Sequence, residues 1–400
     1  MLPMLLIMPL EEKKTIPLIN SVPKKNKTIM IVAGEASGDM HGANLVREML
    51  RIDPALNFYG IGGKKLREEG VKLLANASDM AVVGLTEVIS KLGSILKIMG
   101  MMKRSLDERR PDLVILIDYP DFNLPLANAA KKRGIKIFYY ISPQVWAWRK
   151  GRIGQIKKTV DKMAVILPFE VDTYGQEGFT VNYVGHPLLD MVKLNYSKQE
   201  SRKKFGLAEN KITIGILPGS RLSEVGKLMP ELLRASEILA QKMPEVQFVL
   251  PLADTLEEKI ITEIISRFTV KVHIISGHTY DVISCADLAL VASGTATLET
   301  ALLGIPMVIV YKISLLSYLI GRLIVDVKNI GLVNIIAGKT IVPELIQGDA
   351  CGKRIAVEAL AILTNEEKKQ KMIKELEAIR AKLGEPGAAI RAAQIACDMI

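Results

Sequence analysis

Cysteine and histidine are scarce in this chain, and it has no long uncharged apolar run. Its three cysteines (Cys285, Cys351 and Cys397) are odd in number and widely spaced, which argues against a disulfide framework and fits a reducing compartment. The four histidines show no ligand spacing with cysteine, so no metal site is indicated. No segment reaches about 18 apolar residues without a charge, and we therefore expect no transmembrane helix.

The glycine-rich signatures of common nucleotide-binding folds are also missing. Gly60–Gly63 lacks the G-x-G-x-x-G spacing of dinucleotide-binding proteins. Six residues separate Gly331 from Gly338-Lys339-Thr340, whereas a P-loop has four at that place. A kinase or an ATPase is therefore not expected.

What the chain does contain is enough apolar material for two ordinary domains. Its 400 residues are 49% hydrophobic and 24% charged, a balance typical of a globular protein. The formal net charge of +10 favours anionic partners such as nucleic acid, acidic substrates or an anionic membrane face. Residues 1–26 include an apolar run, Met1–Leu10, without a basic leader, and we expect a loose extension rather than a signal peptide.

Short runs that are apolar on both faces alternate with helical stretches, as in parallel sheets covered by helices. The predicted strands of the first half are Thr28–Ala33, Asn57–Ile61, Leu113–Ile117, Ile135–Tyr140, Met163–Leu167 and Val181–Val184. Those of the second half are Ile212–Leu217, Val246–Leu250, Val270–Ile275, Leu288–Ala292 and Met307–Tyr311. The predicted helices include Ala43–Arg51, Pro125–Arg133, Met229–Lys242, Thr295–Leu303 and Asn365–Lys382.

This alternation predicts an α/β fold of two Rossmann-like, doubly wound domains that face a central cleft. We assign residues 27–186 to an N-terminal domain and residues 187–345 to a C-terminal domain. Residues 346–400 form C-terminal helices, for which a return to the N-terminal domain is one alternative. Ligands of such sheets bind at the carboxyl ends of the strands, so we expect the functional residues in the turns there.

Two strand-to-helix turns of opposite charge are the first candidates. The turn after Thr28–Ala33 contains Glu35, Ser37, Gly38 and Asp39. Its two carboxylates disfavour a bare phosphate, and sugar hydroxyls or an amine suit it better. The turn after Ile212–Leu217 contains Gly219, Ser220 and Arg221. The planar guanidinium of Arg221 is suited to a pyrophosphate.

A third turn, after Leu288–Ala292, contains Ser293, Gly294, Thr295, Ala296 and Glu299. Its small residues let the backbone approach a diphosphate, and Glu299 is placed to accept hydrogen bonds from a ribose diol. The alternative is an ordinary capped helix with an acidic first turn. Together with Arg221, this turn predicts a pocket for a nucleotide diphosphate.

Asp118 follows the buried strand Leu113–Ile117 and is the predicted general base. Burial at the end of such a strand raises the pKa of a carboxyl group toward that role. Asp121 and Glu35 are alternative bases, although Asp121, like Asn123, also suits a helix cap.

Both tryptophans of the chain lie close together, and Trp146 can stack on a sugar ring. Basic residues follow, so single-stranded nucleic acid and a solvated helix face are alternatives for this cluster. The cluster is short and lies inside an enzyme-like scaffold, and nucleic acid is not our preferred partner.

An amphipathic stripe with helical spacing includes Leu85, Val88, Leu92, Leu96 and Met99. Packing against the protein core is the commoner interpretation of such a stripe. The alternative is an interfacial helix that enters lipid, because Lys103 and Arg104 follow and can meet anionic headgroups.

At these residues the chain resembles the lipid-A-disaccharide synthases, a family of membrane-associated glycosyltransferases. The resembling motifs run in family order from Thr28 to about Gln347. They are Gly34–Asp39 with His41-Gly42-Ala43, Asp118–Asn123, Ser142–Arg149, Leu167–Glu170, Gly185-His186-Pro187, Leu217–Arg221, Ser293–Glu299 and Asn334.

The resemblance implies an inverting glycosyltransferase of the GT-B type that needs no metal and no cofactor. It implies transfer from UDP-2,3-diacylglucosamine to 2,3-diacylglucosamine 1-phosphate, which gives a β-1,6-linked disaccharide phosphate and UDP. It further implies a cytoplasmic protein at the inner-membrane phospholipid surface, with a homodimer left open. Asp118, Arg221 and Asn334 are the catalytic positions that it implies.

Two other functions remain open on the sequence. A UDP-sugar 2-epimerase has the same two-domain layout but needs no apolar stripe. A basic, peripheral membrane-binding scaffold without enzymatic activity would leave Asp118 and Glu299 without a purpose.

Overall fold

Two parallel β-sheets organise the computed structural model, which describes residues 26–80, 85–143, 151–313 and 329–400. The first sheet has seven strands in the order β3-β2-β1-β4-β5-β6-β7. These strands are β1 (Thr28–Ala33), β2 (Asn57–Gly62), β3 (Lys72–Asn76), β4 (Leu113–Ile117), β5 (Lys136–Tyr140), β6 (Lys162–Val165) and β7 (Asn182–Tyr183).

The second sheet has six strands in the order β10-β9-β8-β11-β12-β13. They are β8 (Ile212–Leu217), β9 (Val246–Leu252), β10 (Val272–Ser276), β11 (Leu288–Ala292), β12 (Met307–Tyr311) and β13 (Glu344–Ile346). Every residue of the central strands β4 and β11 is buried. Strands covered by helices on both faces need such continuous apolar sequence.

Helices connect the strands and cover the sheets. In the first half they are α1 (Ala36–Ile52), α2 (Lys64–Glu68), α3 (Leu85–Arg109), α4 (Pro120–Lys131), α5 (Arg152–Thr159), α6 (Pro168–Gln176) and α7 (Leu188–Met191). In the second half they are α8 (Lys198–Lys204), α9 (Leu222–Lys242), α10 (Glu258–Ile265), α11 (Thr279–Ser284), α12 (Thr295–Leu302), α13 (Leu332–Ala337), α14 (Gly352–Leu363), α15 (Glu366–Lys382) and α16 (Ala388–Cys397).

The two doubly wound sheets predicted from the sequence are present, but several element bounds differ. The edge strands β3 and β13 were not predicted from the sequence. The predicted starts of α1, α4 and α9 were several residues too late, because the small residues and prolines at these helix starts resemble turns. Pro120 in fact occupies the start of α4, where its missing N–H would have no helical partner.

The chain connects the two sheets twice. It leaves the first sheet after β7, and the His186 amide donates a hydrogen bond to the Leu383 carbonyl at 3.0 Å. After α15 it returns, and α16 packs against α1 of the first sheet. Arg391 on α16 donates to the Val184 carbonyl at 2.7 and 2.9 Å. The outgoing and returning segments therefore lie side by side.

Candidate active site

Each sheet has a point where its strand order reverses, between β1 and β4 in the first and between β8 and β11 in the second. The helices after these paired strands leave toward opposite faces, and a crevice opens at the carboxyl ends. Glu35 follows β1 and Asp118 follows β4. Arg221 follows β8 and Thr295 follows β11. The turns singled out in the sequence thus lie at the two crevices where this fold binds ligands.

Asp118 and Tyr119 both have left-handed backbone conformations, with φ angles of 44° and 45°. Such a conformation costs a residue other than glycine about 1–2 kcal/mol. The Asp118 carbonyl oxygen accepts hydrogen bonds from Asn123 Nδ2 at 2.6 Å and from Tyr139 Oη at 2.5 Å. The Tyr119 ring lies against Gly34, where a Cβ atom would come within 2.6 Å of a ring carbon. Strain held in this way is concentrated at functional sites.

The carboxyl group of Asp118 has an environment suited to proton transfer. Burial, and secondly the negative charge of Glu35, raise the pKa of Asp118 to about 6, while a hydrogen bond from the Tyr119 amide opposes them. A carboxylate with this pKa is still mostly ionised at pH 7 and is more basic than an ordinary aspartate. Asp118 therefore has the properties expected of a general base.

An ion pair connects the crevice of the first sheet to that of the second. Arg221 Nη2 lies 3.1 Å from Glu35 Oε2, and Arg221 Nη1 lies 3.0 Å from Glu224 Oε1. Although partial burial disfavours the charge, the carboxylates of Glu35 and Glu224 raise the pKa of Arg221 above its ordinary value. The carboxylate side and the cationic side of the site are therefore in direct contact.

The turn before Arg221 requires a glycine. Gly219 has a φ of +104°, and a Cβ atom there would lie 2.6 Å from Glu224 Oε2. The Ser220 carbonyl accepts a hydrogen bond from Thr255 Oγ1 at 2.6 Å, which fixes the turn. No side chain caps the amino end of α9. An uncapped helix end beside a guanidinium suits a diphosphate.

The turn after β11 is also uncapped by any side chain. Its four residues are half-buried or exposed: Ser293, Gly294, Thr295 and Ala296. Glu299, one turn into α12, accepts a hydrogen bond from Tyr280 Oη at 3.1 Å, and burial raises the pKa of Glu299. The turn offers backbone amides, hydroxyls and one carboxylate to a nucleotide.

The Asp39 carboxylate is bonded to backbone amides of the protein itself, in contrast to its predicted contact with an acceptor. Its carboxylate accepts hydrogen bonds from the backbone amides of Gly63 at 2.6 Å, Lys65 at 3.0 Å and Leu66 at 3.1 Å. Only 5% of the residue is exposed. The first amides of a helix have no partner within it, and Asp39 supplies one for α2.

The other predicted acceptor residues differ in their surroundings. Asp121 forms an ion pair with Arg152, and 78% of the Asp121 side chain is exposed. Ser37 is half-buried and Gly38 is buried. Trp146 lies outside the described residues.

Asn334 is buried, and its amide group is fully used inside the protein. Its Nδ2 donates to the Val342 carbonyl at 2.9 Å and to Glu344 Oε1 at 2.6 Å, and its Oδ1 accepts from the amides of Ile341 at 2.7 Å and Val342 at 3.1 Å. Because an asparagine amide has two donors and two acceptor sites, none is left for a substrate. Asn334 therefore holds the segment between α13 and β13, in contrast to the catalytic position that the family resemblance implied.

The predicted apolar stripe lies on α3, and only part of it faces solvent. Leu92 is 48% exposed and Leu96 is 61% exposed. Met99 is half-buried and packs against the core of the first sheet. Leu85 and Val88 belong to the helix, but their side chains lie outside what the structure describes. Among the described residues, no helix is both long and apolar enough to cross a membrane.

Sequence reasoning missed several residues that shape the site. Tyr139 bonds to Asp118, Glu224 bonds to Arg221, and Tyr280 bonds to Glu299. A buried tyrosine near the end of a strand needs a hydrogen-bond partner, but this pattern does not single out Tyr139, because the hydroxyl of the adjacent Tyr140 has no partner among the described residues. The other two depend on side-chain contacts that no spacing along the chain reveals.

The two parallel sheets and their paired crevices define a class of protein by its fold, the two-domain GT-B type. Solved structures with this fold include an S. aureus protein, MnaA, with UDP (TM-score 0.64, 14% identity, 94% of this chain and 98% of that one). A UDP-GlcNAc 2-epimerase from Neisseria meningitidis bound to UDP-GlcNAc gives a TM-score of 0.61 at 15% identity, over 93% and 98% of the chains. The glycosyltransferase of kitacinnamycin gives 0.58 at 13% identity, over 94% and 100%. These likenesses confirm the predicted fold.

Sequence comparison identifies the family. The family model described as lipid-A-disaccharide synthetase matches residues 29–398. The lipid-A-disaccharide synthase of Syntrophus aciditrophicus is 56% identical, over 94% of this chain and 98% of that protein. That of Geobacter sulfurreducens is 46% identical, over 93% and 97%. The chain belongs to the lipid-A-disaccharide synthase family, and it is a lipid A disaccharide-forming glycosyltransferase.

Replacing Asn334 tests its structural role. Asn334→Ala leaves the amides of Ile341 and Val342 without their hydrogen-bond acceptor. We expect the free energy of unfolding to fall by about 3 kcal/mol. The measurement is urea unfolding. Asn329→Ala, which removes an exposed hydrogen bond with Thr340, is the control and should change the free energy by less than about 0.5 kcal/mol. Equal stability of the two variants would contradict the role given to Asn334.

Proposed function

We propose that the enzyme joins UDP-2,3-diacylglucosamine to 2,3-diacylglucosamine 1-phosphate by direct displacement with inversion. Asp118 takes the proton of the acceptor 6-hydroxyl as that oxygen forms a bond to C1 of the donor sugar. The bond between C1 and the phosphate oxygen breaks, and UDP leaves with the electron pair. The products are the β-1,6-linked disaccharide 1-phosphate, UDP and a protonated Asp118.

The observation that carries this proposal is the contact between the two crevices. A carboxyl group with a raised pKa lies on the first sheet, and Glu35 next to it reaches Arg221 on the second sheet. A transfer reaction needs a base on one side of the sugar carbon and a stabilised leaving group on the other. The Glu35–Arg221 ion pair brings these two functions together in one cleft.

We assign the UDP moiety to the second sheet. Arg221, with Gly219 and Ser220, contacts the diphosphate, and the amino end of α12 supplies backbone donors. Glu299 accepts hydrogen bonds from the ribose. The complexes with UDP and UDP-GlcNAc on the same fold support a nucleotide sugar as the ligand. The positive charge of Arg221 offsets the charge that develops on departing UDP.

We assign the acceptor sugar to the first sheet, near Glu35, Ser37, Gly38, Asp121 and Trp146. Carboxylates suit sugar hydroxyls, which donate hydrogen bonds to them, and do not suit a diphosphate. Asp39 contributes indirectly, since it fixes the turn that follows β2. Asn334 likewise contributes by holding the segment before β13.

A UDP-sugar 2-epimerase is the closest competing function, because proteins of that name share the fold. Their identity to this chain is only 15%, against 56% for a lipid-A-disaccharide synthase. A membrane-binding scaffold without activity would not account for the raised pKa of Asp118 or for the strained turn that carries it.

The base assignment is tested with the two acylated glucosamine substrates and mass spectrometry. The parent protein should yield the disaccharide 1-phosphate and UDP. Asp118→Asn keeps the side chain's shape and removes the base, so kcat should fall at least about 100-fold. Asp107→Asn, at an aspartate whose side chain is 60% exposed and which pairs with Arg133 away from the crevice, is the control and should stay within about threefold. Near-normal turnover by folded Asp118→Asn would refute Asp118 as the base, and absence of the disaccharide with parent protein would refute the reaction.

The pH profile tests the electrostatics of the same residue. Asp118 must be ionised to accept a proton, and its pKa is raised to about 6, so kcat/KM should fall with unit slope below about pH 6. Glu35→Gln removes a negative charge that contributes to the raised pKa, and the acid limb should move to lower pH. Glu224→Gln is the control, because it also removes a carboxylate that pairs with Arg221. Glu224 does not contribute to the raised pKa of Asp118, so the acid limb of this variant should stay at the pH of the parent. A limb unmoved in Glu35→Gln would contradict the assignment.

We also propose that α3 lies on the membrane surface as the enzyme meets its lipid substrates. Leu92 and Leu96 are exposed on this helix, and the basic residues Lys97, Lys103 and Arg104 are exposed as well. Apolar side chains that enter lipid beside cations that meet anionic headgroups produce reversible binding.

Co-sedimentation with anionic phospholipid vesicles tests this surface. The double variant Leu92→Ser/Leu96→Ser should partition at least about tenfold more weakly, because each leucine loses apolar burial worth about 1.5–3 kcal/mol. Val357→Ser, at a side chain on α14 that is 53% exposed, should bind like the parent. Unchanged partitioning of the double variant would show that the helix does not enter lipid.

A further inference from the structure

We propose that Tyr139, together with Asn123, is a positioning residue for the reaction, because its hydroxyl holds the Asp118 carbonyl and thereby orients the Asp118 carboxylate. This inference rests on the proposed role of Asp118 as the base. It adds a residue from a different strand, β5, to the machinery of the first crevice.

The contact has the geometry of an anchor. Tyr139 Oη and Asn123 Nδ2 lie 2.5 and 2.6 Å from the Asp118 carbonyl oxygen. A carbonyl oxygen has two lone pairs, and these two donors use both. Asn123 Nδ2 also donates to the Ile117 carbonyl at 3.1 Å, and both anchoring residues have no exposed surface. The anchor is therefore fixed by the packed sheet and not by a loop.

The backbone at Asp118 explains why an anchor is needed. Asp118 and Tyr119 are consecutive left-handed residues, and neither is a glycine. Without its two donors, the peptide group between them would be free to rotate toward the commoner backbone regions. Such a rotation moves the carboxylate, which begins at the same Cα atom. A displacement of about 1 Å at a reacting group can lower a rate about 100-fold.

Tyr139 remains a donor throughout the working pH range. Burial, followed by the negative charge of Asp118, raises the pKa of Tyr139 well above its ordinary value. The phenol therefore keeps its proton whenever the Asp118 carboxylate is ionised. It acts on the carbonyl and leaves the carboxylate free for the substrate.

The neighbouring residue provides a matched control. Tyr140 is equally buried on β5 but packs in the core on the other face of the sheet. Its hydroxyl has no hydrogen-bond partner among the described residues. Tyr140→Phe and Tyr139→Phe thus remove the same atom from the same strand, and only the second removes the anchor.

The experiment compares kcat, KM and thermal midpoint for Tyr139→Phe and Tyr140→Phe, and repeats Tyr139→Phe in the Asp118→Asn background. Tyr139→Phe should lower kcat about 10- to 100-fold, with KM for both substrates within about twofold. Tyr140→Phe should leave kcat within about twofold. Both variants should melt within a few degrees of the parent. In Asp118→Asn, whose residual turnover is followed by end-point assay, Tyr139→Phe should have no further effect.

Two results would overturn the proposal: a kcat for Tyr139→Phe that matches that of Tyr140→Phe, or losses that multiply in the double variant. Multiplying losses would mean that Tyr139 acts independently of Asp118. If Asp118→Asn itself retains full turnover, the base assignment fails, and that failure is distinguishable from a failure of the anchor alone.

Discussion

The ion pair between Glu35 and Arg221 joins the two crevices of this molecule, and the geometry of the site depends on it. The Arg221 side chain is 49% exposed and that of Glu35 is 38% exposed. A pair with that much solvent contact contributes about 0–1 kcal/mol. It is therefore weak enough for an anionic ligand to displace. Loss of the pair would leave the Glu35 carboxylate, whose charge acts on Asp118, without its cationic partner.

Polar residues of the recognised motifs divide into those that hold the backbone and those that remain open. Asp39 and Asn334 use all or most of their hydrogen-bonding capacity on backbone amides. Asp118 keeps its carboxylate available, while its carbonyl is held by neighbours. Residues of both kinds are needed for an ordered site, and their motifs do not distinguish them. The burial of each side chain and the identity of its hydrogen-bond partner distinguish the two kinds of residue.

Most of the fold was predictable because buried parallel strands carry continuous apolar sequence. β1, β4, β8, β11 and β12 were predicted at their observed bounds. β3 was missed because its residues are only partly buried, and β13 has three residues and includes Glu344. The positions of Asp118 and Arg221 at the two crevices were predictable, because each residue follows a buried strand. The role of Tyr139 depends on the left-handed turn at Asp118, and the sequence has no glycine there to signal one.

The return of α16 to the first sheet restricts how the cleft can move. Two chain segments link the sheets, and they lie side by side through the His186–Leu383 hydrogen bond and the contacts of Arg391 with Val184. A single tether would permit swivelling as well as opening. When two linking segments lie side by side, rotation about the line that joins them opens the cleft without stretching either segment. Two adjacent links therefore favour opening of the cleft, which separates Glu35 from Arg221, over swivelling of one sheet against the other.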